Sequence, residues 1–123
     1  MILVDTSIWV DHLHQQNEEL IRLLDNDTVL IHPFIIGELA CGSLHNRRRV
    51  LAGLHEVPLI ETISNSAVMD FIERNMLFNT GIGWIDAHLL TATAQTKACR
   101  LWTRDKRLQF QAARLNLAKT AST

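Results

Sequence analysis

Four carboxylates occupy unusual positions in this chain. Asp5 is the only Asp, Glu, Lys or Arg residue from Met1 to Val10. Glu38 is the only one from Leu30 to Leu44, and Asp86 the only one from Asn75 to Thr96. One residue in five is charged, so the last window should hold about four charges. The segments around these acids therefore read as buried, and a lone buried carboxylate is costly unless it has a partner. Asp105 joins them by position, because it lies just past an apolar run as Asp5 does. Several converging carboxylates repel one another and need a cation, and hard oxygen donors suit Mg²⁺ or Mn²⁺. Asp5, Asp86 and Asp105 also stand where helices are expected to begin. Capping alone explains any one of them about as well. Glu38, in mid-helix, fits capping worst, and the four together favour a metal site.

The elements that must position these acids follow from the apolar pattern. Met1 to Val4, Thr28 to Ile31, and Leu101 to Thr103 with its flanks read as strands buried on both faces, with Val57 to Ile60 a weaker candidate. Helical patterns lie between them. One runs over Asn17 to Leu24 and one from Pro33 to about Leu44. A third runs from Ser64 or Asn65 to about Phe78, and Gly81-Ile82-Gly83 separates it from a fourth, Trp84 to about Lys97. The last spans Asp105 to about Leu115. Strands alternating with helices predict βαβ units and a mostly parallel sheet. Sites in such sheets form at the carboxyl ends of the strands, which predicts Asp5 and Asp105 on one edge.

Composition narrows the class. With 123 residues and 47% hydrophobic content, the expectation is one domain over residues 1–123, with a frayed tail from 118 to 123. Twelve Lys and Arg against thirteen Asp and Glu exclude a histone-like polycation, but not nucleic-acid binding, which depends on where charges sit. Cys41 and Cys99 make no disulfide scaffold and read as buried thiols. Zinc is disfavoured despite six histidines, since no His-Glu-x-x-His pattern or paired cysteines occur. The opening residues lack the pattern of a signal peptide, and no apolar run is long enough to span a bilayer, so a cytoplasmic protein is expected. Arg47-Arg48-Arg49 is the densest basic run, read equally well as a solvated helix face. Arg104, Lys106 and Arg107 flank Asp105 and are candidates to hold phosphates.

Met1-Ile2-Leu3-Val4-Asp5-Thr6-Ser7 resembles the opening of PIN-domain proteins, particularly VapC-type toxins of bacterial toxin–antitoxin pairs. The resemblance continues through Ile36-Gly37-Glu38-Leu39, Ile85-Asp86-Ala87-His88-Leu89-Leu90 and Leu101-Trp102-Thr103-Arg104-Asp105, in order and over almost the whole chain. It implies a three-layer α/β/α sandwich and a Mg²⁺-dependent endoribonuclease acting on tRNA or rRNA, with Mn²⁺ able to substitute. It also implies a cognate antitoxin that blocks the site, and a homodimeric toxin. Carried over residue by residue, Asp5, Glu38, Asp86 and Asp105 are catalytic, and Asp5, Asp86 and Asp105 are metal ligands. Glu38 holds a water or acts as general base, while the Ser7 and Thr103 hydroxyls support the acids. Products would carry a 5′-phosphate and a 3′-hydroxyl. A non-catalytic PIN-like module that binds RNA or protein is the alternative. A receiver-type signalling domain fits poorly, because no Asp lies between Asp27 and Asp70 to accept a phosphoryl group.

Overall fold

The computed structural model describes residues 1–121. Three short parallel strands, β1 (Ile2–Val4), β2 (Val29–Leu30) and β3 (Arg100–Trp102), form a sheet in the order β2-β1-β3. Among the described residues seven helices accompany them: α1 (Thr6–His14), α2 (Glu18–Asp25), α3 (Pro33–Cys41), α4 (Arg47–Leu54), α5 (Asn65–Arg74), α6 (Trp84–Gln95) and α7 (Lys106–Arg114). Ile2, Leu3, Val4, Val29, Leu30 and Leu101 are all buried. Neighbouring positions of a strand point to opposite faces, so helices must cover the sheet on both sides. This is the α/β/α sandwich the sequence predicts. The weak strand candidate at 57–60 survives as a single parallel bridge, Ile31 to Leu59, on the β2 edge.

The register carries the functional geometry. Leu3 pairs with Leu101 and Val4 with Trp102, so the next residues along, Asp5 and Thr103, leave the same edge side by side.

Several expectations need correction. The helix from Pro33 ends at Cys41, where the Gly42 N–H turns back to the Leu39 carbonyl. The helix from Asn65 ends at Arg74 and not near Phe78. Met76 adopts φ 51° there, and the Leu77 N–H reaches back to the Ile72 carbonyl. A left-handed residue of this kind closes many helices, but it is most often glycine, so methionine gives no warning. α4 is missing from the helical patterns read from the apolar residues, although a solvated helix face was one reading of Arg47 to Arg49. It opens on three arginines, where the helix dipole disfavours cations, and Asn46 before it makes no side-chain cap. Cys41 is exposed, while Cys99 is buried as expected. The start of the tail expected to fray makes contacts with β3. Ala118 bridges to Leu101, and the Lys119 N–H donates to the Leu101 carbonyl at 2.8 Å. Ser122 and Thr123, the end of that predicted tail, lie outside the described residues.

One buried polar group makes the fold sensitive to pH. His32 caps α3, its Nδ1 accepting the Phe34 N–H at 3.0 Å, while its Nε2 is buried without a partner. Burial, then the neighbouring His88, pushes its pKa down to about 4. A depressed histidine keeps its full stabilising contribution above its unfolded value of about 6.5 and loses it as pH falls towards about 4. His32→Asn keeps a capping acceptor and cannot titrate here. Thermal melts at about pH 7 and about pH 5 should show a smaller pH-dependent drop in the variant; equal drops would exclude His32 as the cause.

Candidate active site

Asp5 is built into the fold from several directions. Its backbone N–H donates to the Trp102 carbonyl at 2.9 Å, which extends the β1–β3 ladder by one residue. Its backbone then turns to cap α1, with Oδ1 accepting the Thr6 N–H at 2.7 Å. Oδ2 accepts the Thr103 hydroxyl at 2.6 Å and the Ser7 hydroxyl at 3.1 Å. Asp5 is buried, and these three donors satisfy what burial would otherwise leave costly.

Asp105 arrives through the same hydroxyl. Its backbone N–H donates to Thr103 Oγ1 at 3.0 Å, and its Oδ1 caps α7 by accepting the Arg107 and Leu108 N–H groups. Asp86 stands in the first turn of α6, where Oδ2 accepts the Gly83 N–H at 3.2 Å. Glu38 projects from α3, and its Oε1 accepts the Thr6 hydroxyl at 2.7 Å. Burial pushes the Asp86 carboxyl up from its ordinary value; the Gly83 N–H opposes this, and the charges of Asp5, Asp105 and Glu38 push it further. The four acids thus converge closely enough for three of them to bear on the fourth. Burial is uneven: Asp5 is buried and Asp86 half-buried, but Glu38 and Asp105 are exposed. Of the three acids whose segments read as buried, Asp5, Asp86 and Glu38, only Asp5 is itself buried. Their segments have one face in the core, and the carboxylates look out of it into a cleft.

Capping and clustering turn out to be the same arrangement. Asp5, Asp86 and Asp105 each accept N–H groups at the start of a helix, and those caps aim three helix N-termini at one place. The positive ends of α1, α6 and α7 offset part of the carboxylate repulsion. The Ser7 and Thr103 hydroxyls both donate to Asp5 Oδ2, and Ser7 Oγ also accepts the Arg104 N–H at 3.0 Å. Thr6 was not singled out from sequence, although the Asp5-Thr6-Ser7 run carries its signal: two hydroxyls directly after a strand-end acid. Of the predicted RNA-binding cations, all three are exposed. The Arg104 guanidinium is tied to Asp11, while Lys106 and Arg107 have no ion pair among the described residues.

The donor set fits a hard divalent cation that retains much of its water. Asp86 Oδ1, Glu38 Oε2 and Asp105 Oδ2 accept no hydrogen bond from any described residue. Among the described residues no three His, Cys, Asp or Glu side chains form a ready cage. Mg²⁺ does not need one, since it usually keeps several waters and takes one or two carboxylates. Thr103 is the hinge of the arrangement. Thr103→Val removes the donor to Asp5 and the acceptor of the Asp105 N–H together, and should cost about 1–3 kcal/mol of stability. Urea unfolding measures this, with Thr103→Ser restoring most of the loss; an unchanged midpoint would show that Asp5 is held by its other donors alone.

Beside the acids lies a mostly apolar groove of about 930 Å³ between α1, α3 and α4, lined by Trp9, Leu13, Leu39, Arg49 and Leu54 among others. Thr6 and Glu38, hydrogen-bonded to each other, belong to its wall, so the groove opens directly onto the cluster.

Comparison with known proteins agrees with this architecture. The PIN-domain family model matches residues 2–114. Ribonuclease VapC32 of Mycobacterium tuberculosis, found in two strains, is 40% identical over 121 residues, covering 96% of this chain and 95% of the relative. A match over nearly the whole length, with the acids in order at the sheet edge, places this chain in the PIN-domain family, among its VapC-type members.

Proposed function

We propose that this chain is a Mg²⁺-dependent endoribonuclease, the toxin of a toxin–antitoxin pair, acting in the cytoplasm on tRNA or rRNA. The observation that carries this reading is the convergence of four carboxylates, three with an oxygen unclaimed by any described residue, at the carboxyl edge of a parallel sheet. The ribonuclease name of the 40% identical relative supports it. Asp5, Asp86 and Asp105 hold the ion, with Mn²⁺ able to replace Mg²⁺. When bound, the ion neutralises the cluster, offsets charge on the scissile phosphate and makes a nearby water more acidic. Glu38, oriented by Thr6, receives the proton of the attacking water. Thr103 and Ser7 keep Asp5 in place. Arg104, Lys106 and Arg107 take flanking phosphates, and Arg104 does so by exchanging its exposed partner Asp11.

An antitoxin segment lying in the apolar groove would reach Glu38 at the groove wall and close the site. A homodimer completes the proposed assembly, to be read by light scattering. The test of the activity is cleavage of bulk tRNA and rRNA by purified protein. EDTA should abolish it and Mg²⁺ restore it. RNA that is bound yet never cut would leave the non-catalytic module instead, and chelator-resistant cleavage would remove the metal from the mechanism.

A further inference from the structure

Among the three cations beside Asp105, Arg107 has a distinctive setting. A methyl group added at Gly81 would lie 2.8 Å from Arg107 Cδ and 3.1 Å from its Nε and Nη1, well inside normal contact. The Arg107 side chain therefore lies flat against the Gly81 backbone, in space that only glycine leaves free. Gly81 is two residues before Gly83, whose N–H holds Asp86, and the Arg107 N–H itself caps on Asp105. The Arg107 side chain thus packs on Gly81, which lies in the turn before the Asp86 helix, while its own backbone caps on Asp105. Its guanidinium makes no hydrogen bond or ion pair with any described residue. Arg104 differs, because Asp11 holds it back towards α1.

We propose that Gly81 is a positioning residue, the seat on which Arg107 is held so that its guanidinium meets a backbone phosphate of RNA entering the acidic cleft. The inference rests on the ribonuclease reading for its substrate class. A guanidinium whose side chain is seated on Gly81 forms its paired hydrogen bonds to phosphate with less ordering than a free side chain. The contact is made before and during cleavage alike, so its loss raises KM and leaves kcat nearly unchanged.

Gly81 also adopts φ +86°, a conformation that side chains disfavour, so a substitution there has two possible effects. A double-mutant cycle separates them. Gly81→Ala and Arg107→Ala should each raise KM about tenfold, whereas Gly81→Ala in an Arg107→Ala background should add less than about twofold. Arg107→Lys should recover only part of the loss. Affinity for a fluorescein-labelled stem-loop RNA, measured in the Asp5→Asn background, should repeat the cycle without any chemistry. A Gly81→Ala penalty of equal size with and without Arg107, or one that falls on kcat, would overturn the proposal by showing that the strained turn displaces Asp86. Unchanged affinity in Arg107→Ala would overturn it too. An intact affinity cycle together with a wild-type protein that never cleaves RNA would support the seat while removing the ribonuclease reading.

Discussion

Asp5→Asn protein is expected to fold as the wild type does and to cleave RNA at least about 10³-fold more slowly. The fold survives because asparagine has the same shape and reproduces most of what Asp5 does structurally. Its Oδ1 still accepts the Thr6 N–H that starts α1. Its Nδ2 then faces the Thr103 and Ser7 hydroxyls, which can rotate to accept where they had donated. What the substitution removes is a full negative charge at the one buried position of the cluster. Single-turnover cleavage beside a thermal melt decides the matter: wild-type rates in a well-folded Asp5→Asn protein would sink the mechanism. Mg²⁺ should raise the melting temperature of the wild type, because a ligand of the native state alone stabilises it. It should do so much less for Asp5→Asn.

Asp86→Asn should lose about 10²–10³-fold in rate and yet yield a metal-free protein more stable than the wild type. The reason is the direction of the Asp86 shift. Burial first, and then the charges of Asp5, Asp105 and Glu38, raise its pKa above the ordinary value. A carboxyl whose native pKa is raised binds more protons folded than unfolded at intermediate pH. Its contribution to stability is therefore fully present below the unfolded value and is lost as pH rises through the raised one. Above that window the Asp86 charge is consequently a cost to the metal-free fold. Asparagine keeps an acceptor for the Gly83 N–H and carries no charge. Melts with EDTA across the acidic range should show wild-type stability falling over this window relative to Asp86→Asn. Added Mg²⁺ should narrow the difference at neutral pH. A variant less stable than the wild type at every pH would mean that the Asp86 charge is already compensated within the protein.

Much of the fold was legible before any coordinates, for identifiable reasons. Met1 to Val4, Thr28 to Ile31 and Leu101 to Thr103 are apolar on both alternating faces, which only a covered parallel sheet accommodates. The isolation of Asp5, Glu38 and Asp86 in nearly uncharged windows marked them, and the strand ends placed Asp5 and Asp105 on one edge. The misreadings were local. Met76 closes α5 in a left-handed conformation that glycine normally signals, and α4 begins with charges that oppose its dipole and without a side-chain cap. Both are settled by packing: Leu77 and Leu54 are buried, and burial outweighs local propensity.

The sequence by itself determined the order of the elements and the edge where the strands end, and it singled out four acids as candidates, because these follow from periodicity, from charge isolation and from the geometry of a parallel sheet. It left capping and metal binding as rival roles for Asp5, Asp86 and Asp105. Only the tertiary structure decided that the caps and the cluster are made by the same carboxylates. It also joined Thr6 to Glu38 and Thr103 to Asp5, set Arg104 against Asp11 and laid Arg107 on Gly81. These are contacts between side chains or loops far apart along the chain. Their existence depends on register and helix placement to within an ångström or so, which no pattern of residue types records.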